Sequence, residues 1–206
     1  MRTILIPVFI MALVGSACQK RNTFSVDATY CYRHLLPLIQ FSVDYPVDLQ
    51  TMPPTAGQRN QTYNYFFKSD AGGNEIESIS FGYLSLDSTE QEANMEAIIG
   101  QMEESYIEAG FDLSDTFTGT QEFDGKSLKM FRCTGTIDRP QYDLSGTYRV
   151  QTLILTPEYY NNGLMITMMA RDDSPIQSYE DFAEKGSISV LWQTLEIEEP
   201  ELSPEG

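Results

Sequence analysis

Two neighbouring stretches between Thr147 and Arg171 are rich in apolar and β-branched residues and flank a turn cluster, and this pattern predicts a long β-hairpin. In the first arm, one face carries Tyr148, Val150, Thr152 and Ile154, and the other carries Arg149, Gln151, Leu153 and Leu155. In the second arm, one face carries Leu164, Ile166 and Met168, and the other carries Met165, Thr167 and Met169. A strand that is apolar on both faces has to be covered on both. The pattern therefore predicts an α+β fold, in which a mostly antiparallel β-sheet has helices packed on both faces as an α/β/α sandwich.

The remaining periodic segments predict further strands and two helical segments. The expected strands are one or two within residues 29–46, then 63–68, 76–86, 112–123 and 127–138, with a loop at 47–62. From about residue 89 to 109, apolar residues recur at helical spacing, with Ser88 or Thr89 as the N-cap and Gly110 as the stop. A second helical segment is predicted to begin at Ser178.

Length and charge limit the domain count and the classes of partner. The chain has 206 residues with 13 basic and 30 acidic side chains, and its formal net charge is -17. This length suits one packed domain, which we place at residues 29–197, followed by an acidic disordered tail over 198–206. We expect no nucleic-acid partner, because phosphate backbones repel so negative a chain, whereas a basic partner would be attracted. Simple solubility of a solvated surface also explains the acidity.

The N-terminal residues predict export from the cytoplasm. Arg2 precedes an apolar run from Ile4 to Val14, and small residues follow up to Cys18. The run is too short to span a bilayer, which takes about 20 apolar residues. This pattern is typical of a secretory signal peptide.

The ending Gly15-Ser16-Ala17-Cys18 resembles the lipobox of bacterial lipoproteins, in which the chain is cleaved before the cysteine and the thiol takes a lipid. The resemblance implies a signal peptide over 1–17, lipid on Cys18 and a polar tether over 18–28. It also implies an extracytoplasmic protein anchored through that lipid to a membrane of the bacterial cell envelope. Cleavage by an ordinary signal peptidase near Ala17 is the alternative.

The order of elements resembles a known family, the PsbP-like and Ran-binding Mog-type α/β sandwich. The residues that carry the resemblance are FSVDYP at 41–46, a long helix after the third strand, FDGKSLKMFRCTG at 123–135, and a closing segment with SYEDF and LWQTLEI. The match spans Gln40 to Ile197. The resemblance implies an antiparallel sheet with helices on both faces. Its members serve photosystem assembly, small-GTPase binding and envelope roles, so it carries no functional residue over to this chain.

Few residues could carry catalysis or hold a metal. His34 is the only histidine, which excludes a His-rich metal site, and it lies beside Leu35 and Leu36 as a semi-buried histidine would. Carboxylate pairs such as Asp112 with Asp115 lack the spacing of calcium loops, and the chain has neither a glycine-rich phosphate loop nor a Gly-x-Ser-x-Gly motif. We therefore expect no catalytic residue, no metal and no cofactor.

Two cysteines remain once Cys18 is set aside. Cys31 and Cys133 both lie in segments with strand-like patterns, and an extracytoplasmic compartment permits a disulfide bond. A bond that closes a loop of about 100 residues would stabilise the fold by up to roughly 4.7 kcal/mol in the chain-entropy model. The sequence thus leaves two possibilities, a Cys31–Cys133 disulfide or two separate buried thiols.

Tyrosine and asparagine residues mark a candidate binding surface. The residues in question are Tyr63, Tyr65, Tyr159, Tyr160, Asn161 and Asn162, together with the loop at 47–62. These side-chain types suit contact with a sugar or a peptide. We therefore expect a monomeric, non-catalytic envelope lipoprotein that binds a protein or a glycan. A carboxylate-dependent hydrolase acting on an envelope polymer is the alternative.

The lipid anchor leads to a first prediction. Replacement Cys18→Ser removes the thiol that would take the lipid, so the exported variant should move from the membrane fraction to the soluble fraction. Fractionation of cells that express the two forms, followed by immunoblotting, measures this shift. A Cys18→Ser chain that is processed and still stays with the membranes would contradict lipidation at this residue.

Overall fold

The computed structural model describes residues 20–85, 91–123 and 125–199. Its elements in chain order are β1 Arg21–Val26, α1 Ala28–His34, β2 Phe41–Pro46, β3 Gln50–Met52, β4 Thr62–Ser69, β5 Glu75–Ser85, α2 Gln91–Glu108, β6 Asp112–Phe123, β7 Lys126–Arg139, a 3-10 turn Pro140–Tyr142, β8 Leu144–Leu155, β9 Asn162–Arg171, a 3-10 turn Glu180–Ala183, α3 Ser189–Gln193 and β10 Glu196–Ile197. Strands dominate this part of the chain, and the helices are few.

Within the described residues, the strands form a large and a small antiparallel sheet. The large one has seven strands in the order β3-β4-β5-β9-β8-β7-β6, and the small one has three in the order β1-β2-β10. The predicted hairpin is β8 and β9, which pair with Leu153 opposite Ile166 and Val150 opposite Met169. Because β9 has three strands on either side, the hairpin lies at the centre of the large sheet, as predicted.

Alternation along the central strands divides the buried side chains between two clusters, one on each face of the large sheet. The cluster between the two sheets, called here the inter-sheet core, includes Val26, Phe41, Val43, Phe66, Phe81, Leu153, Leu164, Ile166, Met168 and Leu191. The other cluster, called here the α2 core, includes Ile99, Met102, Phe131, Cys133, Tyr148, Val150 and Ile154. Both faces of the hairpin are therefore buried.

The two faces are covered by different kinds of structure. Helix α2 packs over β6 and β7 on one face. On the other face the small sheet contributes Val26 and Phe41 to the inter-sheet core, while the short helices α1 and α3 contribute Cys31 and Leu191. The sequence analysis expected helical layers on both faces, whereas on this face most of the cover is a second sheet.

The predicted tether and first strand are wrong for residues 21–34. Residues Arg21–Val26 form β1, in which Phe24 pairs opposite Val43 of β2 and Val26 is buried. The next segment is helix α1, because the Asp27 carboxylate accepts the Tyr30 N–H at 2.6 Å as an N-cap, and Leu35 ends the helix in a left-handed conformation. A polar composition suggested a tether, but pairing with β2 makes these residues part of the fold.

The two predicted helical segments are confirmed with different precision. Helix α2 matches its predicted span, although its expected caps Ser88 and Thr89 lie outside the described residues. The later segment begins with a reciprocal cap, in which the Asp181 carboxylate accepts the Ser178 N–H at 3.2 Å and the Ser178 hydroxyl accepts the Asp181 N–H at 3.4 Å. Gly186 then interrupts it with a φ of 74°, which separates the 3-10 turn from α3.

The ends of the predicted domain map only partly onto the described residues. The leader, Cys18 and residues 200–206 of the predicted tail lie outside them. Glu198, which was placed in the tail, donates its N–H to the Gln40 carbonyl at 2.9 Å just beyond β10. No helix in the described part of the chain is both long and apolar enough to cross a membrane.

The structure contradicts the disulfide between Cys31 and Cys133. Both residues are free thiols, and both are buried. Cys31 belongs to the inter-sheet core, whereas Cys133 on β7 belongs to the α2 core on the opposite face of the large sheet. A disulfide needs the two Cα atoms within about 7 Å and their Cβ atoms directed towards each other, whereas the Cys133 side chain points away from the face of the sheet on which α1 packs. Burial also raises the pKa of the Cys133 thiol to about 12.

The turn before α3 gives a testable prediction about packing. A Cβ atom on Gly186 would lie 2.6 Å from the Glu77 carboxylate and 2.9 Å from the Ile176 side chain, whereas one on Gly57 would meet nothing within 4 Å. The two glycines have nearly the same φ, 74° and 73°. Gly57→Ala should therefore cost about 1 to 2 kcal/mol for its backbone conformation alone, and Gly186→Ala should cost clearly more. Urea denaturation of both variants measures the difference, and equal costs would contradict the close packing at Gly186.

Candidate binding groove beside helix α2

A groove of about 440 Å³ lies between α2 and the large sheet. Its α2 side is lined by Ile98, Gln101, Met102, Ser105 and Tyr106, and its sheet side by Gln61, Thr62, Tyr83, Leu84, Thr152, Met165 and Thr167. None of these side chains carries a formal charge at neutral pH. The groove therefore offers apolar surface, two thioethers and several hydroxyl and amide groups to a ligand.

The groove exists because α2 covers only one half of this face. The helix packs mainly over β6 and β7, and among the described residues it has little contact with β5 and β9 on the same face. Ser80 pairs opposite Thr167 and Gly82 opposite Met165, which places small β5 residues beside the β9 residues that line the groove. The groove thus lies beside α2, over the part of β5 and β9 on which this helix does not pack closely.

A row of hydroxyl groups forms the polar part of the groove. The Thr152 and Thr167 hydroxyls are 3.1 Å apart, and the Tyr106 hydroxyl lies 3.4 Å from that of Thr152. Burial raises the pKa of Tyr106 to about 12, so this phenol stays neutral. One face of its ring stacks on Phe131 with centroids 5.8 Å apart. The hydroxyls can donate or accept hydrogen bonds, while the Tyr106 ring is held by the core.

The structure removes Tyr63 from the predicted binding surface and leaves Tyr65 only half-exposed. Tyr63 is fully buried in the inter-sheet core, and its hydroxyl donates to the Pro37 carbonyl at 2.9 Å. Tyr65 points to the opposite face, and its hydroxyl donates to the buried Glu75 carboxylate. Both phenols are therefore committed to internal hydrogen bonds. Aromatic content alone did not reveal these partners, since Pro37 and Glu75 lie elsewhere in the chain.

The four residues at the tip between β8 and β9 differ in their exposure. Tyr160 is 9% exposed and donates its hydroxyl to the Glu198 carbonyl at 2.6 Å, so it is a structural residue. Tyr159 is 52% exposed, Asn161 is exposed and Asn162 is half-buried. Asn162 pairs opposite Ser85 at the same end of β5 as Tyr83, which lines the groove. Three of the four tip residues thus remain accessible, close in register to the groove.

Sequence reasoning missed the groove itself. The α2 residues Ile98, Met102 and Tyr106 fall on one helical stripe, and that stripe was interpreted entirely as core. Met102 is indeed 9% exposed, but Ile98 and Tyr106 are half-exposed. The small residues Ser78, Ser80 and Gly82 at alternate positions of β5 were the available signal. They show that one face of this strand carries little bulk.

Two glutamates, Glu75 and Glu77, are buried outside the groove, where each holds part of the fold. The Glu77 carboxylate accepts the Ser187 N–H at 2.7 Å in the turn before α3. Glu75 accepts from Tyr65, and its backbone carbonyl accepts the Tyr148 hydroxyl at 2.7 Å. Burial raises the pKa of both glutamates. Neither side chain lines the groove, so the structure does not bring a pair of perturbed carboxylates into an open cleft.

The single histidine has a structural environment. His34 ends α1 with 8% of its surface exposed, and its ring contacts that of Tyr30 with centroids 4.4 Å apart. The semi-buried position is as predicted, although the residue ends a helix and not a strand. Among the described residues, no group of three or more His, Cys, Asp or Glu side chains could hold a metal ion.

Comparison with known proteins supports the fold. The chain matches no protein-family model and no curated protein sequence. It is similar to cyanobacterial PsbP from Synechocystis, with a TM-score of 0.53 and 9% identity over 89% of this chain and 96% of that chain. This similarity confirms the fold part of the PsbP-like resemblance, and identity this low carries no function.

Two further solved structures are more distant. LpqN, involved in cell envelope biogenesis of Mycobacterium tuberculosis, has a TM-score of 0.45 and 12% identity over 86% of this chain and 91% of that chain. The Ran-binding protein Mog1p of Saccharomyces cerevisiae has a TM-score of 0.46 and 9% identity over 86% of this chain and 96% of that chain. Neither similarity is close enough to carry an inference.

The buried glutamates predict an unusual pH dependence of stability. Because the pKa of Glu75 and of Glu77 is raised above 4.5, the folded protein holds protons that the unfolded chain has already released. Their contribution is full below that ordinary pKa and is lost as the pH rises through the raised pKa. The free energy of unfolding should therefore increase as the pH falls from 7 towards 5. Below the ordinary Asp pKa of 3.8 the trend should reverse, because Asp48 and Asp70 have lowered pKa values.

Matched variants separate this effect from the general loss of negative charge. Glu77→Gln keeps an acceptor for the Ser187 N–H but cannot titrate, so its stability should rise less between pH 7 and pH 5. Glu108→Gln, at an exposed position on α2, makes the same change in net charge and should follow the unmodified protein. Urea denaturation at several pH values measures the three curves. Superimposable curves for Glu77→Gln and Glu108→Gln would contradict the role of the buried carboxylate.

Proposed function

We propose that the protein is a non-catalytic binding module of the cell envelope, and that its α2 groove holds an uncharged segment of a partner protein. This proposal rests on the lining of the groove, which combines the thioethers of Met102 and Met165 with the hydroxyls of Thr152 and Thr167 and has no charged group. Methionine side chains adapt to irregular apolar shapes, and hydroxyls satisfy a peptide backbone. Such a surface suits a short, mixed apolar and polar stretch of polypeptide.

A protein segment fits this groove better than a glycan does. Sugar rings bind well against free aromatic faces, but one face of Tyr106 is stacked on Phe131, and its ring makes a T-shaped contact with Phe111 with centroids 5.7 Å apart. Tyr83 packs at 6.4 Å from Tyr63 of the inter-sheet core. The aliphatic residues Ile98 and Leu84 complete the lining. Because the aromatic rings are engaged in the fold, apolar side chains of a peptide are the favoured ligand groups.

The groove also argues against the hydrolase alternative. A carboxylate-dependent hydrolase places two carboxyl groups across the bond that it cleaves. The carboxylates with raised pKa, Glu75 and Glu77, are instead bonded to Tyr65 and to the Ser187 N–H. Binding without chemistry therefore explains the groove with fewer assumptions.

Export and anchoring place this binding at the envelope. The leader and the lipobox-like Gly15-Ser16-Ala17-Cys18 support a lipid on the mature N-terminus. An anchor confines the domain beside membrane partners and so raises their effective concentration, which allows even weak contacts in the groove to be occupied. The proposed role is therefore attachment or assembly of an envelope protein.

Photo-crosslinking from two positions on α2 tests the groove. Gln101 lines the groove, whereas Ile107 is 54% exposed on the opposite side of the helix. A photoreactive residue placed at 101 in intact cells should give a discrete protein adduct, and the same residue at 107 should not. Adducts are detected by their shifted mobility and identified by mass spectrometry.

Occlusion of the groove provides the matched control. Adding Ser105→Trp to the chain with the probe at 101 fills the groove and should abolish the adduct, while adding Ile107→Trp should leave it unchanged. Equal adducts from positions 101 and 107 would contradict a binding site in the groove. Hydrolysis of an envelope polymer by the purified protein, lost in a Glu75→Gln variant that remains folded, would contradict the non-catalytic role.

A further inference from the structure

Strand β6 is a long edge of the large sheet. It is the last strand in the order β3-β4-β5-β9-β8-β7-β6, and within the described residues it pairs only with β7, from Asp112 opposite Thr136 to Phe123 opposite Lys126. In an antiparallel strand, successive residues direct their backbone N–H and C=O groups alternately to either side. About half of the backbone groups of this 12-residue strand therefore face away from β7.

Strand β6 has few of the usual protections of an edge strand along its middle. Natural edges are kept short, or they carry charged side chains (above all lysine), proline or bulges that block pairing with another chain. The opposite edge, β3, has only 3 residues. Strand β6 contains no lysine, arginine or proline, and its one irregularity lies near its start between Leu113 and Asp115. The following stretch is regular, and among the described strands only β7 pairs with it.

The composition of the middle of β6 favours an additional strand. Residues 116–121 read TFTGTQ, which is uncharged and rich in β-branched threonine. Thr116, Thr118 and Thr120 are exposed, and Phe117 is 55% exposed with its ring over Gly119. An incoming strand would gain backbone hydrogen bonds along this stretch and bury Phe117.

Charge determines which kind of strand fits. Asp112, Asp115 and Glu122 lie on β6, and the Glu103 carboxylate of α2 is 3.5 Å from the Thr116 hydroxyl. Two basic residues of β7 lie opposite this stretch, Lys129 opposite Thr120 and Arg132 opposite Phe117, and the Arg132 guanidinium is engaged by Gln151 at 2.9 Å and by the ring of Tyr179. The chain as a whole has a net charge of -17. A second copy would bring the same acidic strand and the same net charge, whereas a basic strand is attracted.

We propose that β6 is a second docking site, at which an extended basic segment of a partner protein adds to the large sheet as an eighth strand. Main-chain hydrogen bonds along Thr116–Gln121 provide most of the contact, and the flanking Asp115 and Glu122 select basic side chains. This site is separate from the α2 groove, whose lining includes no residue of β6.

Peptide binding to the purified full chain tests the proposal. The probe is a fluorescently labelled ten-residue peptide in which lysine alternates with threonine and valine, and the comparison peptides replace lysine by glutamate or carry N-methyl groups on alternate amides. Fluorescence anisotropy should show binding of the lysine peptide that weakens with added salt. The glutamate and N-methylated peptides should bind at least about tenfold more weakly, a loss of about 1.4 kcal/mol.

Two adjacent proline variants locate the site. Of Phe117→Pro and Thr118→Pro, one removes an amide bonded to β7 and should lower the melting temperature, whereas the other removes an amide on the free edge and should leave stability nearly unchanged. The stable variant should bind the lysine peptide at least about tenfold more weakly, while Gln101→Trp in the groove should bind it normally. Unchanged binding by the stable proline variant, or equal binding of the lysine and glutamate peptides, would overturn the proposal. The proposal would also be overturned if the unmodified chain formed a dimer in sedimentation analysis and the stable proline variant did not.

Discussion

The structure depends on the burial of the β8–β9 hairpin on both of its faces. Leu153 and Ile166 enter the inter-sheet core, while Val150 and Ile154 on alternate positions enter the α2 core. Full burial of each such side chain contributes roughly 1.5 to 3 kcal/mol, so a hairpin exposed on either face would be strongly unfavourable. The small sheet and α2 can therefore be regarded as the two covers that this hairpin requires.

Unequal covers explain where binding surfaces remain. The small sheet with α1 and α3 covers much of one face, whereas α2 lies over β6 and β7 and leaves the neighbouring surface of β5 and β9 as a groove. The same arrangement leaves β6 as an edge, because the helix packs on the face of this strand and does not pair with its backbone. A groove and an edge at two separate places are the surfaces on which the two proposed binding sites rest.

Features that depend on local periodicity could be predicted, and features that depend on distant partners could not. The alternation around Ile154 and Ile166 predicted the central hairpin, and the helical stripe through Met102 predicted α2. Strand β1 was missed because its polar residues gain strand structure only by pairing with β2. Tyr63 was placed on a surface because its hydroxyl partner, the Pro37 carbonyl, is 26 residues away. The groove depends on β5 residues lying beside β9, a register that no single segment reveals.

Native-state hydrogen exchange gives the most direct test of the central role of the hairpin, because it measures the opening free energy of each backbone amide. If the hairpin is the shared support of both cores, the β8 and β9 amides around Leu153 and Ile166 should exchange only through global unfolding. Their opening free energies should then equal the free energy of unfolding from denaturant, while amides of the small sheet open at lower cost. Exchange of the β8 and β9 amides through a local opening of lower free energy, with the β1 and β2 amides still protected, would contradict this role.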